Sequence, residues 1–342
     1  VRARVLCAAA AGLVGVAGPA LAHHGGSAYD MTRLVTIEGT VVELAWKNPH
    51  IALTVETDGS DGAPILQEIE VMSVSQARGL GLSREAIGPG AHVVVRAAPG
   101  RGGPGARAFG VTVTMGGGAV MPLSSFARLS AAPQATVEAT GLSGRWAPTV
   151  ESFASVVAAG RSAALTEAGR AAREAALDRY AAPGGVGICT PLSPPLLHVF
   201  PDLRTIEVGE ATVVIRTETN GVAQERVVHL DQDAHPPGFA PTAEGHSTGS
   251  WEGDTLVIDT IGFAPSPTPD LLLLPTRPDA HLVERLTLTE DRRRIDYAFT
   301  IEVPDYLAAP ASFRATWSHR PELEPSEAEC DPETARRFLE EE

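Results

Sequence analysis

The residues best suited to chemistry lie near the start of the chain. His23 and His24 follow Ala20-Leu21-Ala22, the small-x-small pattern at which signal peptidase cuts. A cut after Ala22 frees the His23 α-amino group, and with a pKa of about 8 that amine gives up its proton readily at neutral pH. The amine and the His23 ring Nδ1 close a six-membered chelate on a metal ion. The imidazole of His50 completes a T-shaped set of three nitrogens, a histidine brace, and nitrogen-rich sites of this kind favour Cu(II). His24 is an alternative to His50, and Tyr29 is the candidate axial ligand. The competing reading is a plain tail at His23-His24-Gly25-Gly26, with His50 completing the turn Asn48-Pro49-His50 through a bond to backbone.

Further along, Gly245-His246-Ser247-Thr248-Gly249 fits the nucleophile-elbow pattern, and Asp270 and His281 follow in hydrolase order. An elbow needs a strand before the serine and a helix after it. Residues 251–260 read instead as a hairpin and strand, so the glycines are expected to serve close strand packing. Gly144-Arg145-Trp146 resembles the opening of lipocalin-type barrels. That implies a calycin-like barrel with a small-ligand cavity, for which Trp146 and Trp251 are the lining candidates. Glu252, Asp254 and Asp259 flank a strand and read as solvated hairpin acids. His281 and Glu284, three apart on a strand, fall on opposite faces. Glu284, Arg285 and Arg314 read as surface ion-pair formers, and His235, before Pro236-Pro237, as loop.

The elements that must position these groups begin with an export signal. Arg2 and Arg4 precede a short apolar run over residues 5–17, broken by Pro19. A membrane span needs roughly 20 apolar residues, so residues 1–22 read as a cleavable signal peptide. The product is periplasmic or secreted, with no membrane span left after the cut. Cys7 leaves with the signal. Cys189 and Cys330 remain, and in an oxidising compartment two cysteines predict one disulfide. Closing a loop of about 140 residues is worth up to about 5 kcal/mol in the chain-entropy account. The formal net charge of −15 argues against nucleic acid and anionic membrane surfaces as partners.

Few aromatics with much Gly and Pro favour short strands. Residues 35–44, 51–56, 66–72, 93–98 and 108–115 read as five strands, with a short helix at 75–80 after the third. That is the order of an OB-like barrel over residues 23–122. Residues 123–143 read as a linker. In residues 144–342, Thr166 caps one helix over about 167–180. Hairpins follow, turning at Asn220-Gly221, Glu252-Gly253-Asp254 and Glu290-Asp291-Arg292. The fold class expected is all-β, an OB-like barrel followed by an antiparallel meander, either barrel or sandwich.

His23-His24, then Val35-x-x-x-Gly39-x-Val41, then Trp46-x-Asn48-Pro49-His50 resembles a family of exported bacterial proteins of unknown function. Its members typically open on His-His-Ser-Phe just after the cleavage site; here Gly25-Gly26 precedes Ser27. The second half is similar to a domain of exported bacterial proteins marked by Gly245-His246-Ser247-x-Gly249-x-Trp251-Glu252-Gly253-Asp254-Thr255-Leu256-Val257. Neither resemblance implies an activity. The residues favour a binder of a small ligand or metal ion, with copper as the cofactor at His23. An enzyme (a copper oxidase, or a hydrolase through Ser247), an apolar-ligand carrier and a module docking an envelope protein are the alternatives.

Overall fold

A computed structural model of the protein describes residues 29–30, 33–59, 62–79, 82–103, 105–118, 120–124, 137–181, 189–200, 202–219, 221–325 and 329–333. The signal segment, His23, His24 and Gly25-Gly26 lie outside the described residues. The first domain is built from β1 (Val35–Ala45), β2 (Ala52–Asp58), β3 (Pro64–Glu70), α1 (Val74–Gly79), β4 (His92–Ala98), β5 (Ala108–Met115) and β6 (Val120–Pro122). Antiparallel pairing runs β3-β2-β1-β4-β5, and a parallel β3–β5 contact closes the ring, as expected for an OB-like barrel. Inward residues alternate along the strands, and Leu53, Val55, Ile69, Val93, Val95 and Val113 fill the core. Gly39 is needed where β1 crosses β2. A Cβ there would lie 2.0 Å from the Glu56 carbonyl oxygen. The short helix falls after the third strand, and the Asn48 side chain accepts the Val74 N–H at 2.9 Å to cap it.

The second domain is a closed nine-stranded barrel. Its elements are β7 (Gly144–Pro148), α2 (Val150–Arg161), α3 (Glu167–Ala181), α4 (Leu196–Val199), β8 (Arg204–Val208), β9 (Thr212–Thr219), β10 (Val222–His229), β11 (His246–Glu252), β12 (Thr255–Ile261), β13 (Ser266–Pro269), β14 (Pro275–Thr276), β15 (His281–Leu288), β16 (Arg294–Glu302) and β17 (Ala311–His319). The ring order is β10-β11-β12-β15-β16-β17-β7-β8-β9, with β13 and β14 as a separate pair. The expected hairpins form. The expectation of a purely antiparallel meander fails at one place, because β10 and β11 run parallel, with Val228 opposite Ser247 and His229 opposite Thr248. The long connection over residues 230–245 carries the chain back to make this possible.

The single expected helix is α3, whose first turn is capped by Thr166 Oγ1 accepting the Gly169 N–H at 3.0 Å. Sequence reasoning missed α2, which begins at Thr149, whose side chain accepts the Ser152 N–H at 3.2 Å. Both ends of the expected linker belong to the domains. Leu123 is buried in the first core, and Ala139 and Leu142 in the second. Cys189 and Cys330 form the disulfide, with Cα atoms 5.6 Å apart. Around it a short C-terminal segment ties the domains together. Cys330 N–H donates to Gly221 O at 3.0 Å, Asp331 N–H donates to Asn48 O at 3.2 Å, and Lys47 Nζ meets Asp331 Oδ2 at 2.7 Å. Among the described residues no helix is long and apolar enough to cross a membrane.

Candidate functional site

Two residues nominated from the sequence, Tyr29 and His50, converge on a third that was missed, Glu70. Tyr29 bridges to Gly100 beside β4, and its buried hydroxyl donates to Glu70 Oε2 in a short bond. Burial, then the charge of Glu70, pushes the Tyr29 phenol well above its ordinary value, so it stays a donor. Glu70, at the end of β3, is itself buried. Its other oxygen lies 3.4 Å from His50 Nδ1, and the Val71 carbonyl oxygen lies 3.3 Å from the same nitrogen. Both partners are acceptors, so Nδ1 is the ring nitrogen that donates here. A carboxylate that accepts from one ring nitrogen is the usual means of orienting a histidine that ligates a metal through the other. His50 does bond backbone, as the plain-turn reading expected, and the same bond selects the tautomer that a metal ligand needs. Tyr29 differs from the axial position expected of it, because its hydroxyl is committed to Glu70.

The interior of the second barrel holds a buried polar network. Arg226 and Glu284, each about 1% exposed in its side chain, form a bidentate pair. Tyr297 donates to Glu284 at 2.7 Å, and Arg226 also meets Ser247 at 3.0 Å, Thr260 at 2.6 Å and His198 Nε2 at 2.8 Å. Burial, then the charges of Arg226 and Arg204, drives the His198 imidazole well below its usual pKa. Trp146 and Trp317 are fully buried beside this network, with Arg204 stacked over Trp317. Glu284 is therefore not a surface ion-pair former, since its side chain points into the barrel.

Ser247 sits within β11 and leads into β12 with no helix after it. Its hydroxyl bonds Arg226 and Thr260, the latter at 3.0 Å. Asp270 accepts backbone N–H groups of Leu272 and Leu274, and His281 bonds Asp259, so the three residues in hydrolase order do not meet. The pocket candidates also part company. Trp146 is core, with Nε1 donating to Leu142 O at 2.8 Å, whereas Trp251 stands 44% exposed.

The outer face of the same barrel holds a cluster the sequence did not reveal. Strand pairing puts His229 of β10, His246 of β11, Asp259 of β12 and His281 of β15 on one face, where His229, Thr248, Asp259 and Val283 stand opposite one another in turn and His246 and His281 each lie two residues along from that row. Alternation turns all four away from the interior that holds Ser247, Thr260 and Leu282. His235, from the connection over residues 230–245, packs onto this row. Its Nδ1 lies 2.8 Å from His246 Nδ1 and its Nε2 lies 2.9 Å from Asp259 Oδ1, while His281 Nε2 lies 2.8 Å from Asp259 Oδ2. Burial opposes the charge on Asp259, but the hydrogen bonds and charges of His235 and His281 outweigh it and hold the carboxyl below its usual range. Burial, with His235 and His229 as neighbours, lowers the His246 pKa. Asp259, expected as a solvated hairpin acid, thus anchors two imidazoles. Among the described residues no three His, Cys, Asp or Glu side chains already close into a metal cage.

Residues 10–108 match the model of a family described as a family of unknown function (DUF6152). The matched stretch contains His50, Glu70 and Tyr29, together with His23 and His24. No curated protein matches the chain.

Proposed function

We propose that this is an exported, periplasmic metal-binding protein whose N-terminal domain holds copper through the His23 amine, the His23 ring and the Nε2 of His50. The single observation that carries this reading is the bonding of Tyr29 and His50 to the same carboxylate, Glu70. It pins the chain six residues beyond His23 beside the His50 ring, whose Nδ1 faces the Glu70 carboxylate and the Val71 carbonyl. A six-residue stretch reaches up to about 20 Å, so His23 has ample length to meet that ring. Glu70 orients His50 and, through Tyr29, fixes where the N-terminal segment starts. The buried Arg226–Glu284 network inside the second barrel favours this reading over an apolar-ligand carrier, and the partners of Ser247 favour it over a hydrolase.

The test compares copper binding by the mature chain beginning at His23 with the same chain carrying one extra residue before His23. The extension ties the amine into a peptide bond. A loss of at least about 100-fold in Cu(II) affinity is expected, and equal affinity for the two forms contradicts the proposal.

A further inference from the structure

We propose that the outer face of the second barrel carries a separate site for a divalent transition-metal ion, bound by the Nδ1 atoms of His235 and His246, with Asp259 orienting His235. Nothing in this site depends on the N-terminal domain. Asp259 Oδ1 accepts from His235 Nε2 at 2.9 Å. That bond leaves Nδ1 of neutral His235 with its lone pair, aimed at His246 Nδ1 only 2.8 Å away. Two ring nitrogens this close must share a proton, and a metal ion at neutral pH replaces it. With metal–nitrogen distances of about 2.0–2.1 Å, two ligands at right angles stand about 2.9 Å apart and at the tetrahedral angle about 3.3 Å. The observed 2.8 Å is about 0.1 Å short of the first value and about 0.5 Å short of the second, so a rotation of the rings is enough to seat an ion.

The surroundings keep the pair in place and leave it open to solvent. His246 is stacked between Phe239, at 4.8 Å, and His229, at 5.2 Å and only 13° from parallel. His281 holds the second oxygen of Asp259 at 2.8 Å, so the orienting carboxylate is itself fixed. The His235 side chain is 16% exposed and that of Asp259 41%, so an ion enters without unfolding and keeps coordination positions for solvent or an outside ligand. Imidazole donors select Cu2+, Ni2+ and Zn2+ over Mg2+ or Ca2+. The sequence hid this site because its members are spread over residues 229–281 and meet through the β10–β11, β11–β12 and β12–β15 pairings together with the connection over residues 230–245.

Titration of the chain bearing an extra residue before His23 with Co2+, followed by absorption spectroscopy and calorimetry, isolates the barrel from the N-terminal chelate. One equivalent is expected to bind and to develop nitrogen-ligand d–d bands. The double substitution His235→Gln/His246→Gln should weaken binding at least about 100-fold, and Asp259→Asn about 10-fold to 100-fold. Unchanged affinity in the double variant overturns the proposal. A readout free of substitutions is paramagnetic broadening in the parent protein. Broadening centred on the His235 and His246 ring resonances supports the site, and broadening elsewhere or none contradicts it.

Discussion

His50 and His235 are held alike, each presenting one ring nitrogen to a buried or half-buried carboxylate. Neither carboxylate was foreseen as a partner, because Glu70 and Asp259 are distant in sequence from the rings they hold. Inside the second barrel the stakes at single residues are higher. Arg226 and Glu284 neutralise each other with almost no exposure. Glu284→Gln strands the guanidinium and should cost about 3–5 kcal/mol in a urea unfolding experiment. His198 makes a related prediction in pH. Its folded-state pKa is depressed, so the unfolded chain takes up a proton first as pH falls. Its contribution is present above the unfolded value of about 6.5 and is lost below it. Stability should drop between pH 7 and pH 5, and the slope should be shallower in His198→Gln, whose amide oxygen still accepts from Arg226. Asp270, raised to about 6 by burial, acts in the opposite sense between pH 4 and 6, so the comparison of variant with parent isolates the histidine.

At the scale of elements, the Gly245–Val257 motif is a packing device. A Cβ on Gly249 would lie 2.6 Å from Val228 Cγ1, on the strand that runs parallel to β11. Gly249→Ala should cost about 1–3 kcal/mol, measured as a shift of the unfolding midpoint. The five strands and short helix of the first barrel were legible because alternation and turn residues are local signals. So were the hairpins at Gly221 and Gly253, where the backbone takes positive φ. The helix α2 was not, although Pro148 and the cap Thr149 stand at its start, because its Val, Ser and Phe residues are weak helix formers. Nor was the parallel β10–β11 pair, since register across a sixteen-residue connection is set by tertiary packing (the span 230–245) and not by any local pattern. Missing that pair meant missing that His229 stacks on His246. The candidate ligand His50 was readable from its motif, whereas its tautomer required knowing where Glu70 falls in three dimensions.

The whole molecule is two barrels joined through the segment around Cys330. The Trp46–His50 loop of the first barrel is in contact with the Cys330–Asp331 segment, and the Cys189–Cys330 bond anchors that segment to the second. Reduction should cost about 2–5 kcal/mol. It should also speed proteolytic cleavage between the barrels, visible as two fragments on limited digestion. The central claim concerns the Nε2 atom of His50. The direct measurement is electron paramagnetic resonance of the mature chain loaded with one equivalent of Cu(II), set beside the His50→Ala variant in a background of His235→Gln/His246→Gln. The proposed brace predicts nitrogen superhyperfine coupling from three equatorial nitrogens, reduced to two in His50→Ala with a loss of affinity. Identical spectra and affinities with and without His50 would contradict it.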